Sequence, residues 1–367
     1  MEPSRPAAAA PSNAEAGDPA IEGLRGFAAL LVVATHFAHL LTERPGAWGF
    51  ASTGVDLFFV LSGYVFAPYL LGKPLPLRPH LVRRAFRLLP LYLAALLLYV
   101  GLHQPADEAW RHFWVHVLML HTLGSTEVAF FYNPAFWSLP PEVEFYLLLP
   151  LLAWLARRTG VLALALAAAA LHLLLVAAAT PGDTAVDARA LATVHAPGLL
   201  IEFLLGTLAH AALLRWPQPW QAMLRLGAGL AVLAAMVAVY VAYVAPEAGG
   251  PRTVPPWIGG NLGLGAALGY ALAVSGIAAR AARAPRWLLG TLLRLGAWSY
   301  GIYLFHNAAP RLLKLWLPEA AGLHALLLCI AITWLLALAG HHAIEKPLRS
   351  YGRRLSRRLQ AAPAFSK

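Results

Sequence analysis

Apolar residues run along this chain in blocks of about twenty, separated by short polar, proline-bearing or arginine-bearing connections. A helix rises 1.5 Å per residue, so a block of about twenty crosses the ~30 Å hydrocarbon core of a bilayer. Such blocks lie at roughly 24–42, 50–72, 88–102, 137–156, 161–179, 193–214, 226–245, 258–279, 295–316 and 323–344. The pattern predicts an all-α polytopic membrane helical bundle of about ten transmembrane helices. A further apolar stretch, Trp110 to Leu123, is shorter and carries Arg111, His112, His116 and His121.

Charge placement sets the direction of these blocks. Lys73, Arg78, Arg83, Arg84 and Arg87 lie between the second and third, which puts that connection in the cytoplasm. Arg157 and Arg158 mark the next long block as running inward, so both ends of 103–136 face outward. The stretch near 110–123 then returns to the side it left, as a re-entrant or interfacial segment. Both termini become cytoplasmic. Of the 28 Lys and Arg residues, all but Arg44, Arg111, Arg189, Arg252, Arg311 and Lys314 fall on the cytoplasmic side, which leaves 22 there.

Composition agrees. Hydrophobic residues make up 59% of the 367 and charged residues 12%, against about 25% in a soluble domain, and the mean hydropathy is +0.62. The net charge of +11 follows from the cytoplasmic bias and anionic headgroups, so it calls for no nucleic-acid partner. The lone cysteine, Cys329, sits in an apolar run and excludes a disulfide framework. Residues 1–20 are rich in Ala and Pro, lack the apolar core of a signal peptide, and read as a disordered cytoplasmic tail. The membrane domain spans 21–350, and 351–367 is expected to be a basic cytoplasmic tail. Gly265 and Gly269 in "GLGAALG" have the spacing of close helix packing.

Ionisable groups inside a bilayer cost ~2.5–3.5 kcal/mol each on insertion scales, so they are paired, neutral or facing a cavity. Here they include His36, Asp56, Glu142, Glu144, Glu202, His210 and His306. In "RGFAALLVVATH", Arg25 and His36 are eleven residues apart, which brings them to within ~20° on a helix and ~16 Å apart along it. Both share a face, with His36 expected near the middle of the membrane. It is either a neutral imidazole bonded to a neighbouring helix or a general acid/base. Asp56 is a counter-ion for a cation or imidazole on the first helix, or a packing acid held protonated; a pairing with His36 is available. Glu142 and Glu144 follow Pro140 and Pro141, where a helix dipole favours acids, on the outer side where an external substrate would enter. Arg84 and Arg87 share a helical face and serve topology and headgroups, or clamp the phosphates of an anionic donor. There is no HExxH zinc motif, P-loop or GxSxG elbow, and adjacent His341 and His342 do not share a helical face.

Six stretches in order, "LRGFAALLVVATH", "GVDLFFVLSGYVF", "RRAFRLLPLY", "FWSLPPEVEFYLLLP", "SYGIYLFH" and "EKPLR", resemble the membrane-bound acyltransferase family 3, typified by bacterial polysaccharide O-acetyltransferases. The resemblance covers about residues 21–350. It implies His36 as catalytic histidine, Arg25 as the motif arginine, Arg84 and Arg87 as the pair handling an acyl-CoA donor, and Glu142 as the motif acid. Asp56, His306 and Glu345 occupy other motif positions, Asp56 as a catalytic candidate. Pro140-Pro141 departs from the family's small or aliphatic residues, and the esterase-like domain fused to some members is lacking. The expectation is an O-acyltransferase of the bacterial inner membrane. It would move an acyl group, acetyl above all, from cytoplasmic acetyl-CoA or another acyl-CoA to a hydroxyl of a carbohydrate or secondary metabolite, without a metal. Its rivals are a transporter or flippase with a buried proton relay, and a partner-dependent scaffold.

Overall fold

The computed structural model describes residues 18–43, 46–179, 186–245, 254–280 and 285–361. Residues 1–17, 362–367, Arg44 and Arg252 of the charge pattern therefore lie outside the described residues. Among the described residues there are helices and no strand. In chain order these are α1 (Pro19–Phe37), α2 (Gly54–Leu70), α3 (Leu77–Gly101), α4 (Phe113–Val117), α5 (Thr126–Phe130), α6 (Leu139–Thr159), α7 (Val161–Ala178), α8 (Ala188–Thr193), α9 (Ala196–Arg215), α10 (Pro219–Tyr243), α11 (Pro256–Ala278), α12 (Arg286–Phe305), α13 (Ala308–Trp316), α14 (Gly322–Gly340) and α15 (Lys346–Ala361).

Eight segments among the described residues are long and apolar enough to cross a membrane; they contain α1, α2, α6, α7, α9, α10, α11 and α14. α3 and α12 have comparable length, but arginines dilute their hydropathy. α3 starts at Leu77 rather than near 88. Its basic turns stay helical because the bundle supplies partners: the Arg84 guanidinium lies 5.0 Å from the Phe66 ring centre and 5.6 Å from that of Tyr146. α15 covers α3, with Arg83 Nη1 donating to Ser356 Oγ at 2.7 Å and Gly352 packed against Phe86. Residues 351–361 are thus part of a docked amphipathic helix, not a free tail.

One other expectation changes, and one holds. The block expected at 295–316 is broken after Phe305, because Pro310 has no N–H to donate to the His306 carbonyl and its ring crowds that group. The chain between α3 and α6 forms only short turns, α4, α5 and 3₁₀ segments, so Trp110 to Leu123 does not span. This segment folds inward: Tyr92 OH donates to His116 O at 2.7 Å, and the fully buried Asn133 donates to Leu304 O at 3.2 Å.

Within that segment His116 and His121 stack with ring centres 4.3 Å apart and planes 5° apart, both fully buried. Burial first, and for His116 the neighbouring His121, push their pKa values down to about 3 and about 4. Both stay neutral in the fold, whereas an unfolded chain protonates them below about 6.5. Their contribution is intact above pH 6.5 and is lost as pH falls towards 4, by about 2 kcal/mol each at pH 5. Thermal inactivation of detergent-solubilised protein is expected to shift downward between pH 7 and pH 5, and less so in His116→Phe.

α2 and α9 cross without side chains between them at two points. Gly63 of α2 lies against the Phe203 carbonyl of α9, and Gly206 of α9 against the Val60 carbonyl of α2. Gly269 of α11 likewise meets Gly229 and Leu233 of α10, as its spacing predicts. The α2–α9 crossing brings Asp56 and Glu202 together.

Candidate active site

Two chambers open inside the bundle, and Val55 and Tyr303 line both. One, about 440 Å³, is lined by His36, Asp56, Trp137, His172 and Glu202. The other, about 50 Å³, is lined by Arg25, Ser62, Arg87, Glu142 and Tyr300. The sequence-predicted residues therefore divide between a histidine chamber and an arginine chamber.

His36 is the penultimate residue of α1, so it sits at the end of the helix and not at its middle. α1 starts at Pro19, ahead of the apolar run, and ends at Phe37, which shifts His36 to its last turn. The ring is half-buried, with Nδ1 2.8 Å from Val32 O. A carbonyl only accepts, so Nδ1 carries the hydrogen and Nε2 keeps its lone pair. His306 stands against it, ring centres 4.8 Å apart at 64°. His306 Nδ1 lies 2.7 Å from Tyr303 O, and its Nε2 is buried without a hydrogen-bond partner. The break that Pro310 imposes after α12 thus places a second imidazole beside the first.

Asp56 does not pair with His36. Its carboxyl is hydrogen-bonded to Glu202, and such a bond between two acids needs a proton on one of them. The short α1–α2 connection made the His36 pairing available, but the closer α2–α9 approach decides against it. Gly263 of α11 opens the pair to the chamber, since a Cβ there would stand 2.5 Å from Asp56 Oδ1. Glu202 was legible only as a single acid within an apolar block.

Glu142 faces the arginine chamber rather than an outer entrance. It accepts from Ser62 Oγ at 3.4 Å and from Tyr146 OH. It is the ninth residue of the helical segment Pro134–Thr159, which puts it ~12 Å below that segment's start. Arg25 shares this chamber, ion-paired with Glu22 at 2.6 Å. Arg87 projects into it, while Arg84 does not, being held between Phe66 and Tyr146. Arg84 and Arg87 thus share a helical face without forming one clamp. The π-helical turn His341–Glu345 buries Glu345, which accepts from Arg349 and bonds His341, both at 2.9 Å, within electrostatic reach of Arg87.

Glu144 has a different task. One oxygen accepts from Ala196 N at 2.7 Å at the start of α9, and the other is 2.9 Å from His195 Nδ1. This is a cap and not a chamber group. Glu144→Ala is expected to lower stability by about 1–2 kcal/mol, seen as a reduced inactivation temperature, with activity per folded molecule kept.

Among the described residues no group of three or more His, Cys, Asp or Glu could hold a metal ion. A family model described as an acyltransferase domain matches residues 18–341. Among curated proteins, the acyltransferase MdmB of Streptomyces mycarofaciens is 28% identical over 381 residues, covering 92% of this chain and 93% of its own length. No solved structure matches the chain.

Proposed function

The chain belongs to the acyltransferase 3 family, a membrane acyltransferase by its helices and its match, and on that premise we propose that it carries acyl groups from cytoplasmic acyl-CoA to an acceptor hydroxyl. The acyl group is acetyl above all, and the acceptor a carbohydrate or glycan-related metabolite. The setting is a bacterial inner membrane crossed about ten times, with both termini cytoplasmic. The observation that supports this best is the shared wall. His36, with a free Nε2, lines a roomy chamber whose walls Val55 and Tyr303 are also those of the arginine chamber.

Arg25 and Arg87 would draw the donor's phosphates to the arginine chamber, in the way guanidinium groups recognise phosphate. Arg349 lies within electrostatic reach of Arg87. That chamber is far smaller than the about 300–1,000 Å³ of ligand pockets, so donor entry needs side chains such as Tyr300 and Glu142 to move. In the transfer step the acceptor oxygen attacks the thioester carbonyl while His36 Nε2 takes the hydroxyl proton. The C–O bond forms, the C–S bond breaks, and the departing thiolate recovers the proton from His36, which returns to neutral. The Val32 carbonyl fixes the tautomer that this step needs.

The test is transfer of label from radiolabelled acetyl-CoA in inverted membrane vesicles, comparing the native chain with His36→Ala at matched expression. Label on endogenous glycan or metabolite, lost in the variant, is the expected result. Equal labelling would remove His36 from the chemistry, and no labelling by either would overturn the acetyl-CoA reading.

A further inference from the structure

A third cavity, about 410 Å³, adjoins the histidine chamber, and the two share Ala192, Thr193, Gly259 and Gly260 in their walls. The joint is therefore formed by α8 and the first turn of α11. Gly259 leaves it open, since a Cβ there would meet only Val254, at 3.5 Å. Arg189 lines the third cavity and not the histidine chamber. Together the two cavities make a passage from Arg189 to His36 and the acid pair, each part within the about 300–1,000 Å³ range of ligand sites.

The end of this passage holds two unused hydrogen-bond acceptors. Glu202, 1% exposed, has one oxygen with no partner among the described residues. His172, 2% exposed, has Nδ1 3.0 Å from Gly198 O, where it donates, and its Nε2 likewise lacks a partner. Buried acceptors left alone are costly, so this end of the passage is built to receive donors. Trp137 supplies an aromatic wall beside them.

We infer that the acceptor enters from the non-cytoplasmic side through these joined cavities, and that Glu202 and His172 hold it by its hydroxyl hydrogens, with Asp56 positioning Glu202. The assignment of the ligand as acceptor rests on the acyl-transfer reading; the passage and its two empty acceptors do not. The ligand is extended and rich in hydroxyls, because it fills two chambers and meets acceptors at the inner one. One of its hydroxyls then stands in the chamber that His36 lines. Arg25 and Arg87, in the other chamber, are left to the donor.

The experiment uses the full chain in a Cys329→Ala background, with a single cysteine placed beyond the joint by Leu264→Cys and treated with a membrane-impermeant thiosulfonate. Trp48→Cys, at a residue 64% exposed, reports that the reagent reaches the outer surface. Labelling of Leu264→Cys in right-side-out vesicles, absent in inverted ones and suppressed by adding Gly259→Phe, is the expected pattern. Labelling only from the cytoplasmic face, or none while Trp48→Cys reacts, would overturn the route. In the radiolabel assay Glu202→Leu, which removes both oxygens, is expected to lower labelled product about tenfold, as loss of a buried hydrogen-bond acceptor does, while Glu202→Gln, which keeps one accepting oxygen, retains product; native-level product from Glu202→Leu would overturn the role of Glu202. If the native chain transfers no label while the cysteine pattern holds, the acyl-transfer reading fails and the passage stands.

Discussion

Replacing His36 by alanine is expected to lower acyl transfer by about 10²–10⁴-fold, the usual contribution of a positioned general base. The geometry isolates the chemical effect from a folding effect. The ring is half-buried in the last turn of α1, and its hydrogen bond runs to Val32 of the same helix. Alanine in that turn costs nothing in helix propensity. The His306 ring edge loses a neighbour, but its own bond to Tyr303 O remains. The variant should therefore elute as the native protein does on size-exclusion chromatography while its label transfer falls to background. A variant that keeps more than a tenth of native transfer would move the proton-accepting role away from His36, with His306 the next group to test.

The second large effect lies in packing. Gly63→Ala or Gly206→Ala is expected to destabilise the bundle by about 1–3 kcal/mol or more, because each added methyl meets backbone of the facing helix and not a side chain that can turn aside. The Gly63 methyl would press on the Phe203 carbonyl and that of Gly206 on the Val60 carbonyl. Separating α2 from α9 also separates Asp56 from Glu202, so transfer should fall together with thermal stability. By contrast, Gly227→Ala, with nothing within 4 Å of the added carbon, should leave transfer unchanged and stability unchanged or slightly raised. Equal inactivation temperatures for Gly63→Ala and the native chain would show that the two helices separate without cost.

Much of the bundle was legible because membrane insertion imposes a one-dimensional rule: backbone groups must be bonded within the segment, so length and hydropathy set the spans. The rule misplaces elements where a charged group is paid for by a partner from elsewhere. α3 continues through Arg83 and Arg84 because Ser356 accepts from the first and the Phe66 and Tyr146 rings hold the second. The break before α13 was written in Pro310, yet its result, an imidazole brought beside His36, depends on how α12 packs against α1.

The site follows the same division. The sequence by itself determined which groups are too costly to bury idle, and the resemblance put roles on His36, Arg25, Arg84, Arg87 and Glu142. Local order also determined that Nδ1 of His36 would find a carbonyl one helical turn back. Only the tertiary structure decided who faces whom. It gave Asp56 to Glu202 instead of His36, turned Glu142 towards Arg25 and Arg87, and set Glu144 to cap α9. Helical periodicity fixes the face a residue occupies relative to its own axis, whereas partner choice depends on crossing points between helices far apart in sequence. Those crossings rest on contacts such as Gly63 against the Phe203 carbonyl, which leave no periodic trace in either helix.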